Sequence, residues 1–455
     1  MLPFTTHTWV VRISGHGVII VSNKPGYCMT RNKIGKWTST SLVLGNMIGS
    51  GIFLLPAALS AYGGISIFGW IVSSIGALLL AKVFASLSTL IPKSGGPYTY
   101  TQAGFGNFAG FLVAWGYWIS ILCTNAAITV AMLGYLEVFF PILGESPVVA
   151  VFFGVSMIWL LTWVNNRGVR NAGYVQLVTT ILKIIPLIVV SIAGLFFLHP
   201  DHFTPFNLSG DTTLNAIVQT TTLTLFAFLG IECATIPAEN VDNPKTTIPR
   251  ATWIGTIIAI AVYVLGSISV MGVMTPDTLQ QSSAPFADAA FLLWGTPGRY
   301  LVAIGAVVST FGALNGWILM QGQIPMAAAR DGVFPRIFSG KNKREVPTVG
   351  IIISSILVSL LLITNYTKGL NKAFEFMILL STLTVLVPYL FSSASYIILS
   401  HRGGKIPSKK WSVWIGLAAF SFSLFAVIGS GQEVVFWGFV MLMLGIPFYV
   451  RMKLN

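Results

Sequence analysis

Two ionisable side chains stand where an apolar sequence ordinarily excludes them. Glu232 lies in Phe226-Ala227-Phe228-Leu229-Gly230-Ile231-Glu232-Cys233-Ala234, and Lys183 lies in Thr180-Ile181-Leu182-Lys183-Ile184-Ile185-Pro186. An ionised group at mid-helix in a bilayer costs roughly 2.5–3.5 kcal/mol on insertion scales, so such residues are functional by default. Glu232 fits a proton-sensitive switch coupled to a substrate; the alternative is a protonated carboxyl that caps unwound backbone. Lys183 fits an ammonium that fills the space of a coupling sodium ion; the alternative is a long stem snorkelling to the membrane interface. Lys82 lies nearer the end of its own apolar run, and for it snorkelling is the expectation.

A third feature uses main chain. Gly45-Asn46-Met47-Ile48-Gly49-Ser50-Gly51-Ile52-Phe53-Leu54-Leu55-Pro56 is apolar apart from its Gly-Ser-Gly centre, with Pro five residues on. Glycine costs a helix interior about 1 kcal/mol relative to alanine, and proline more. Unwound backbone at membrane depth is tolerated only inside protein or along a cavity. The stretch therefore predicts a broken transmembrane helix whose amides and carbonyls face a substrate; the alternative is a close helix crossing lined by small residues. The run around Glu232 repeats the pattern with Gly230. Interrupted segments at matching places in two halves are the sequence pointer to the midplane site of an inverted-repeat transporter.

The elements that must hold these groups are spans. Hydrophobic residues make up 55% of 455 positions and charged ones 9%, with a mean hydropathy of +0.81. Apolar runs of about 20 residues, enough to cross a hydrocarbon core of about 30 Å, recur along the chain. Twelve are predicted, at about 38–61 (broken), 64–92, 107–138, 148–165, 173–198, 214–237 (broken), 250–274, 298–326, 347–365, 373–400, 411–430 and 433–451, with a short surface helix at 283–295. The breaks fall in spans one and six. The fold class is an all-α membrane protein; the short alternating strands of an outer-membrane barrel are not seen. Residues 1–28 read unlike the rest and are taken as an N-terminal extension outside the transporter domain, 29–455.

The net charge of +13 is a topology signal. One set of loops carries Arg31, Lys33, Lys36, Lys93, Arg167, Arg170, Lys245, Arg250, the cluster Arg330 to Arg344, Arg402 to Lys410, Arg451 and Lys453; the alternate set carries Arg299, Lys368 and Lys372. By the positive-inside rule the basic loops and both termini are cytoplasmic, and nucleic acid is not a partner. Cys28, Cys123 and Cys233 make no disulfide framework. His7, His16, His199, His202 and His401 all fall outside the spans, so neither a histidine relay nor a metal site is expected. No nucleophile, base and metal-ligand set converges as an enzyme needs, and no filter repeat or charged ring marks a channel. No cofactor is implied. Trp317, beside Gly316, can stack on a substrate's chain or cation, or sit in an interfacial belt. Asn125 is either a substrate contact or interhelical glue.

GNMIGSGIFLLPA, SGGPYTYTQAGFG, LTLFAFLGIECAT, ENVDNPKTTIPRA, NGWILMQGQIPMAAARDGVFP and TVLVPYL occur in this order from about residue 34 onward. Together they resemble the amino acid–polyamine–organocation transporters, and within them the basic amino acid/polyamine antiporters of the arginine/agmatine kind. The resemblance implies a LeuT-like fold of two five-helix inverted repeats (38–198 and 214–400) followed by two more helices (411–451). It implies that amides near Ser50 and Gly51 take a substrate carboxylate, and that the carbonyls of Met47, Phe226 and Leu229 take its α-ammonium. Trp317 would lie along the side chain, with Asn125, Ser381 and the carbonyls near Ser120 and Ile121 at its far end. Tyr117, Glu232 and Tyr389 would form the outer gate, with acid sensing at the glutamate. Two departures stand out: Phe226 replaces a gate tryptophan, weakening the cation–π face, and Lys183 replaces a small apolar residue, as in proton-coupled or sodium-independent carriers of the superfamily. Both bear on arginine itself and leave the amino acid class in place. The expectation is an alternating-access amino acid/amine antiporter in the cytoplasmic membrane, in contact with lipid and possible as a homodimer. Proton-coupled transport of a neutral amino acid is the alternative.

Overall fold

The computed structural model describes residues 34–167, 172–344, 346–365, 370–402 and 409–454. The predicted extension at 1–28 and the loop cations Arg31, Lys33, Arg170, Lys368 and Lys405 lie outside them. Lipid offers no hydrogen bonds, so each crossing must satisfy its own backbone, and helices do this. In chain order they are α1 (Lys36–Met47), α2 (Gly51–Ser60), α3 (Ser66–Leu90), α4 (Pro97–Phe105), α5 (Asn107–Glu137), α6 (Ile142–Glu145), α7 (Pro147–Asn166), α8 (Ala172–Phe196) and α9 (Thr213–Leu225). There follow α10 (Pro244–Val273), α11 (Pro276–Gln281), α12 (Pro285–Arg330), α13 (Thr348–Asn365), α14 (Leu370–Arg402), α15 (Lys409–Ile428), α16 (Gln432–Met443) and α17 (Gly445–Leu454). Ten helical segments among the described residues are long and apolar enough to cross a bilayer, and two shorter apolar ones, Thr180–Phe196 and Thr348–Thr364, fall at the other two predicted spans.

The first crossing is α1 and α2, interrupted at residues 48–50. In the sixth, α9 ends at Leu225 and the chain continues through single 3-10 turns at Phe226–Phe228, Cys233–Thr235 and Ala238–Asn240. Beyond the break this crossing has no α-helical half at all. Gly230 sits at its centre with φ +113°, a conformation side chains resist. The predicted surface helix exists but is half sunk: α12 leaves helical geometry at Gly295, and Pro285, Phe286, Ala287, Ala289 and Ala290 of the preceding turns are buried. α10 packs along α1, α3 and α8, while α14 lies along α5, and α12 lies along both α5 and α8. The breaks are thus held between two groups of long helices.

Candidate substrate site at the two helix breaks

A broken helix must dispose of the carbonyls at the end of one half and the amides at the start of the other. At the end of α1 every carbonyl has a partner. Leu44 O accepts from Ile48 N at 2.8 Å, and Met47 O from Gly49 N at 2.8 Å. Lys183 Nζ donates to Gly45 O at 2.8 Å and to Ile48 O at 2.9 Å. The indole Nε1 of Trp317 donates to Asn46 O at 3.3 Å. Lys183 is fully buried, so it does not snorkel; its ammonium neutralises the negative end of the α1 dipole. Lys82, in contrast, is exposed.

The start of α2 is the opposite case. Ser50 O accepts from Phe53 N and Leu54 N. Among the described residues no backbone carbonyl takes the amides of Ser50, Gly51 or Ile52, and the buried Ser50 hydroxyl has no partner. Open amides at the positive end of a helix make an anion site. The two breaks touch each other. A Cβ added at Gly51 would lie 3.0 Å from Ala227 Cα, and one at Gly230 would lie 3.2 Å from Met47 N and from Asn46 Cβ.

The cavity at this contact is lined by Asn46, Met47, Gly49, Ser50 and Gly51 of the first break, Phe226 and Leu229 of the second, Thr124 and Ile128 of α5, and Trp317 of α12. Its volume is about 10 Å³, room for a single water, so the site is drawn closed around itself. Of the substrate contacts read from the sequence, Met47, Ser50, Gly51, Phe226, Leu229 and Trp317 are brought together. Asn125 and Ser381 are not among the lining residues. Asn125 Nδ2 donates to Gln321 Oε1 at 2.7 Å, and Ser381 Oγ joins Thr124 Oγ1 at 2.7 Å, Ser120 Oγ at 3.1 Å and Ser120 O at 3.0 Å. Asn46, Gly49, Thr124 and Ile128 were missed. For the last two a signal existed: Tyr117, Ile121, Thr124 and Ile128 recur at three- and four-residue spacing, which is one helix face.

That face also orders the seals. Helical rise puts Tyr117 and Tyr135 about 10 Å from the cavity level of α5, one on each side. Tyr117 OH donates to Glu232 Oε1 at 2.5 Å and Tyr389 OH to Oε2 at 2.8 Å, all three side chains being buried. The three residues expected to form the outer gate are therefore brought together. They lie toward the ends of α5 and α14 that join the basic loops, the side the charge rule assigns to the cytoplasm. On the opposite side Phe226 packs edge-on to Phe374 at 6.1 Å. There Tyr135 OH donates to Phe53 O at 2.9 Å and accepts from Phe286 N at 3.2 Å. No group of three or more His, Cys, Asp or Glu that could hold a metal ion occurs among the described residues.

This geometry can be set beside known proteins. A family model described as "Amino acid permease" matches residues 34–450, nearly the whole described chain. The chain belongs to the amino acid permease family. This permease is 32% identical over 425 residues to a putrescine transporter of Haemophilus influenzae, covering 92% of this chain and 96% of the relative. It is 32% identical over 428 residues to a cadaverine/lysine antiporter of Escherichia coli (strain K12), covering 92% and 95%. In structure it is similar to the Eremococcus coleocola manganese transporter, with a TM-score of 0.57 and 14% identity over 95% of this chain and 96% of that one. At that identity the likeness concerns the fold, the LeuT-like arrangement with its broken helices. The permease is a multi-pass membrane transport protein of the amino acid–polyamine–organocation superfamily, and not an enzyme.

Proposed function

We propose that this permease exchanges a basic amino acid for a diamine or related amine by alternating access in the bacterial cytoplasmic membrane, with its basic loops and both termini inside. The observation that carries the reading is the contact of two helix breaks that leaves the amides of Ser50, Gly51 and Ile52 open at a helix start. Those amides suit the carboxylate of an amino acid. The carbonyls of Phe226 and Leu229 suit its ammonium, and Trp317 lies beside them. The names carried by the relatives, a putrescine transporter and a cadaverine/lysine antiporter, support the amine half of the exchange. An arginine/agmatine pair has less support, since the gate aromatic is Phe226 and not an indole. In the occluded arrangement described, Tyr135 with Phe226 closes one side and Tyr117–Glu232–Tyr389 the other. Protonating Glu232 would turn one of its two acceptor oxygens into a donor, and the facing phenol would have to turn its hydroxyl from donor to acceptor or give up the bond; that would link the inner closure to pH.

Lys183 favours the second reading, proton-coupled transport of a neutral amino acid, because a buried amine on the first break can release its proton. Counterflow from proteoliposomes separates the two. Uptake of labelled lysine, ornithine or arginine only when the lumen is preloaded with putrescine, cadaverine or agmatine supports exchange. Accumulation of a neutral amino acid in empty vesicles under a proton gradient alone would overturn it.

A further inference from the structure

α7 stands at the edge of the bundle, with Val148, Phe152, Trp159, Leu160 and Trp163 exposed along it, so its flank meets lipid. It ends at Asn166, with Arg167 as its cap, where the last carbonyls of a helix need donors. The loop between α12 and α13 supplies two. Asn342 Nδ2 donates to Asn166 O at 3.1 Å, and Arg344 Nη1 donates to Arg167 O at 2.7 Å. Asn342 also fixes the course of the loop, since its Oδ1 accepts from Arg344 N at 2.8 Å and from Val346 N at 3.1 Å. The Arg167 guanidinium folds back onto the exposed indole of Trp163, 3.8 Å from the ring centroid. Two guanidiniums therefore stand within one side chain's reach of each other at the foot of a lipid-facing helix. Both residues are exposed, and among the described residues neither is in an ion pair. The segment 330–345 is cationic as a whole, with Arg330, Arg336, Lys341, Lys343 and Arg344 against Asp331 and Glu345. Asp331 is taken by Lys93, and Glu345 lies outside the described residues.

We propose that Arg167 and Arg344 form a binding site for the headgroup phosphate of an anionic phospholipid, whose chains lie along α7 beside Trp163. Like charges held together repel, and an anion shared between them removes the repulsion. Guanidinium matches phosphate with two parallel hydrogen bonds. The depth is right as well: a tryptophan at the end of a lipid-facing helix marks the headgroup level, and Arg167 rests on that indole. Basic pockets beside transmembrane helices are where anionic headgroups bind. A zwitterionic lipid carries an ammonium of its own next to its phosphate, which the two guanidiniums oppose, so the site selects net negative charge. Its place also gives it leverage. The loop it fastens to the end of α7 continues directly from α12, the helix that carries Trp317 into the cavity wall. The inference goes beyond the exchange reading and does not rest on it.

The test offers the purified full-length permease equal amounts of phosphatidylglycerol and phosphatidylcholine with the same acyl chains, and counts the lipids it retains by native mass spectrometry. The native protein should retain phosphatidylglycerol in preference. Arg167→Gln and Arg344→Gln should each lower the ratio by about fivefold, the scale of one cation facing an anionic membrane surface, and the double variant further. Lys245→Gln with Arg250→Gln removes the same charge from another exposed basic stretch and should leave the ratio at its native value. Each ratio is read on intact, lipid-bearing protein, so a lower folded yield does not move it. An equal fall in the two double variants would reveal a diffuse surface potential without a site, and a native protein with no preference would overturn the proposal outright. Inorganic phosphate added at constant ionic strength should not displace the lipid. If it lowers retention as far as the Arg167 and Arg344 double variant does, the corner holds a free anion and the lipid assignment falls. None of these readouts involves exchange, so counterflow stands or fails separately.

Discussion

The two breaks solve one problem in opposite ways. The first ends in carbonyls that side chains from other helices take up: Lys183 holds two of them and Trp317 a third. The second keeps to its own backbone, with 3-10 turns and the positive φ of Gly230, and sends a carboxylate to two phenols from α5 and α14. One break is thus pinned by an ammonium that arrives from outside it. The other is pinned by an acid of its own that reaches out. A cation stabilises a helix C-terminus for as long as it keeps its proton, whereas a carboxylate between two donors exchanges an acceptor for a donor on gaining one. On the function proposed above, the first break would anchor and the second would move.

The comparison breaks most readily at Lys183. Lys183→Met keeps the stem and strands Gly45 O and Ile48 O, at about 1–3 kcal/mol for each buried acceptor. Exchange should be abolished, and the thermal midpoint in detergent should drop with it; normal transport by a stable variant would remove the anchor. Trp317→Leu comes next. It should cut exchange by about tenfold or more, as expected for loss of a wall that positions substrate, with folded yield by size-exclusion chromatography close to native. An equal loss of yield would assign the indole to packing. Glu232→Gln preserves shape and should leave exchange measurable at its best pH while flattening its dependence on pH; an unchanged profile would falsify the sensor. The smallest effect is expected at the surface. Lys93 Nζ and Asp331 Oδ2 pair at 3.1 Å with side chains 51% and 24% exposed, and exposed pairs contribute about 0–1 kcal/mol. Asp331→Asn should shift the thermal midpoint little, and a shift comparable to that of Lys183→Met would erase the contrast between buried and surface charge.

Much of this was legible beforehand. Gly49-Ser50-Gly51, with Pro56 after it, and Gly230, beside a carboxylate, point to breaks because each pairs a costly helix residue with a second feature a packed crossing does not need. Glu232 announces function because charge in lipid is costly. Neither cue shows what the charge meets. Lys183 could equally have snorkelled, and only the packing of α8 against α1 decides that its ammonium reaches Gly45 and Ile48. The meeting of Tyr117, Glu232 and Tyr389 was hidden for a similar reason. Depth along three separate helices becomes comparable only once they are packed. Asn125 and Ser381 match the family pattern by position, but their hydrogen bonds run to Gln321 and to Thr124 and Ser120.

From the sequence by itself come the apolar helices, the two interruptions and the identity of the buried charges. These follow from hydropathy, backbone conformational cost and the cost of charge in lipid, all of which act locally along the chain. Tertiary structure alone decided that the breaks touch at Gly51 and Gly230, that the first is capped by a lysine from α8, and that Asn125 is bonded to a glutamine from α12. Those are pairings between residues far apart in sequence. Hydrogen bonds are directional and short-ranged, so partner choice waits on the helices being placed.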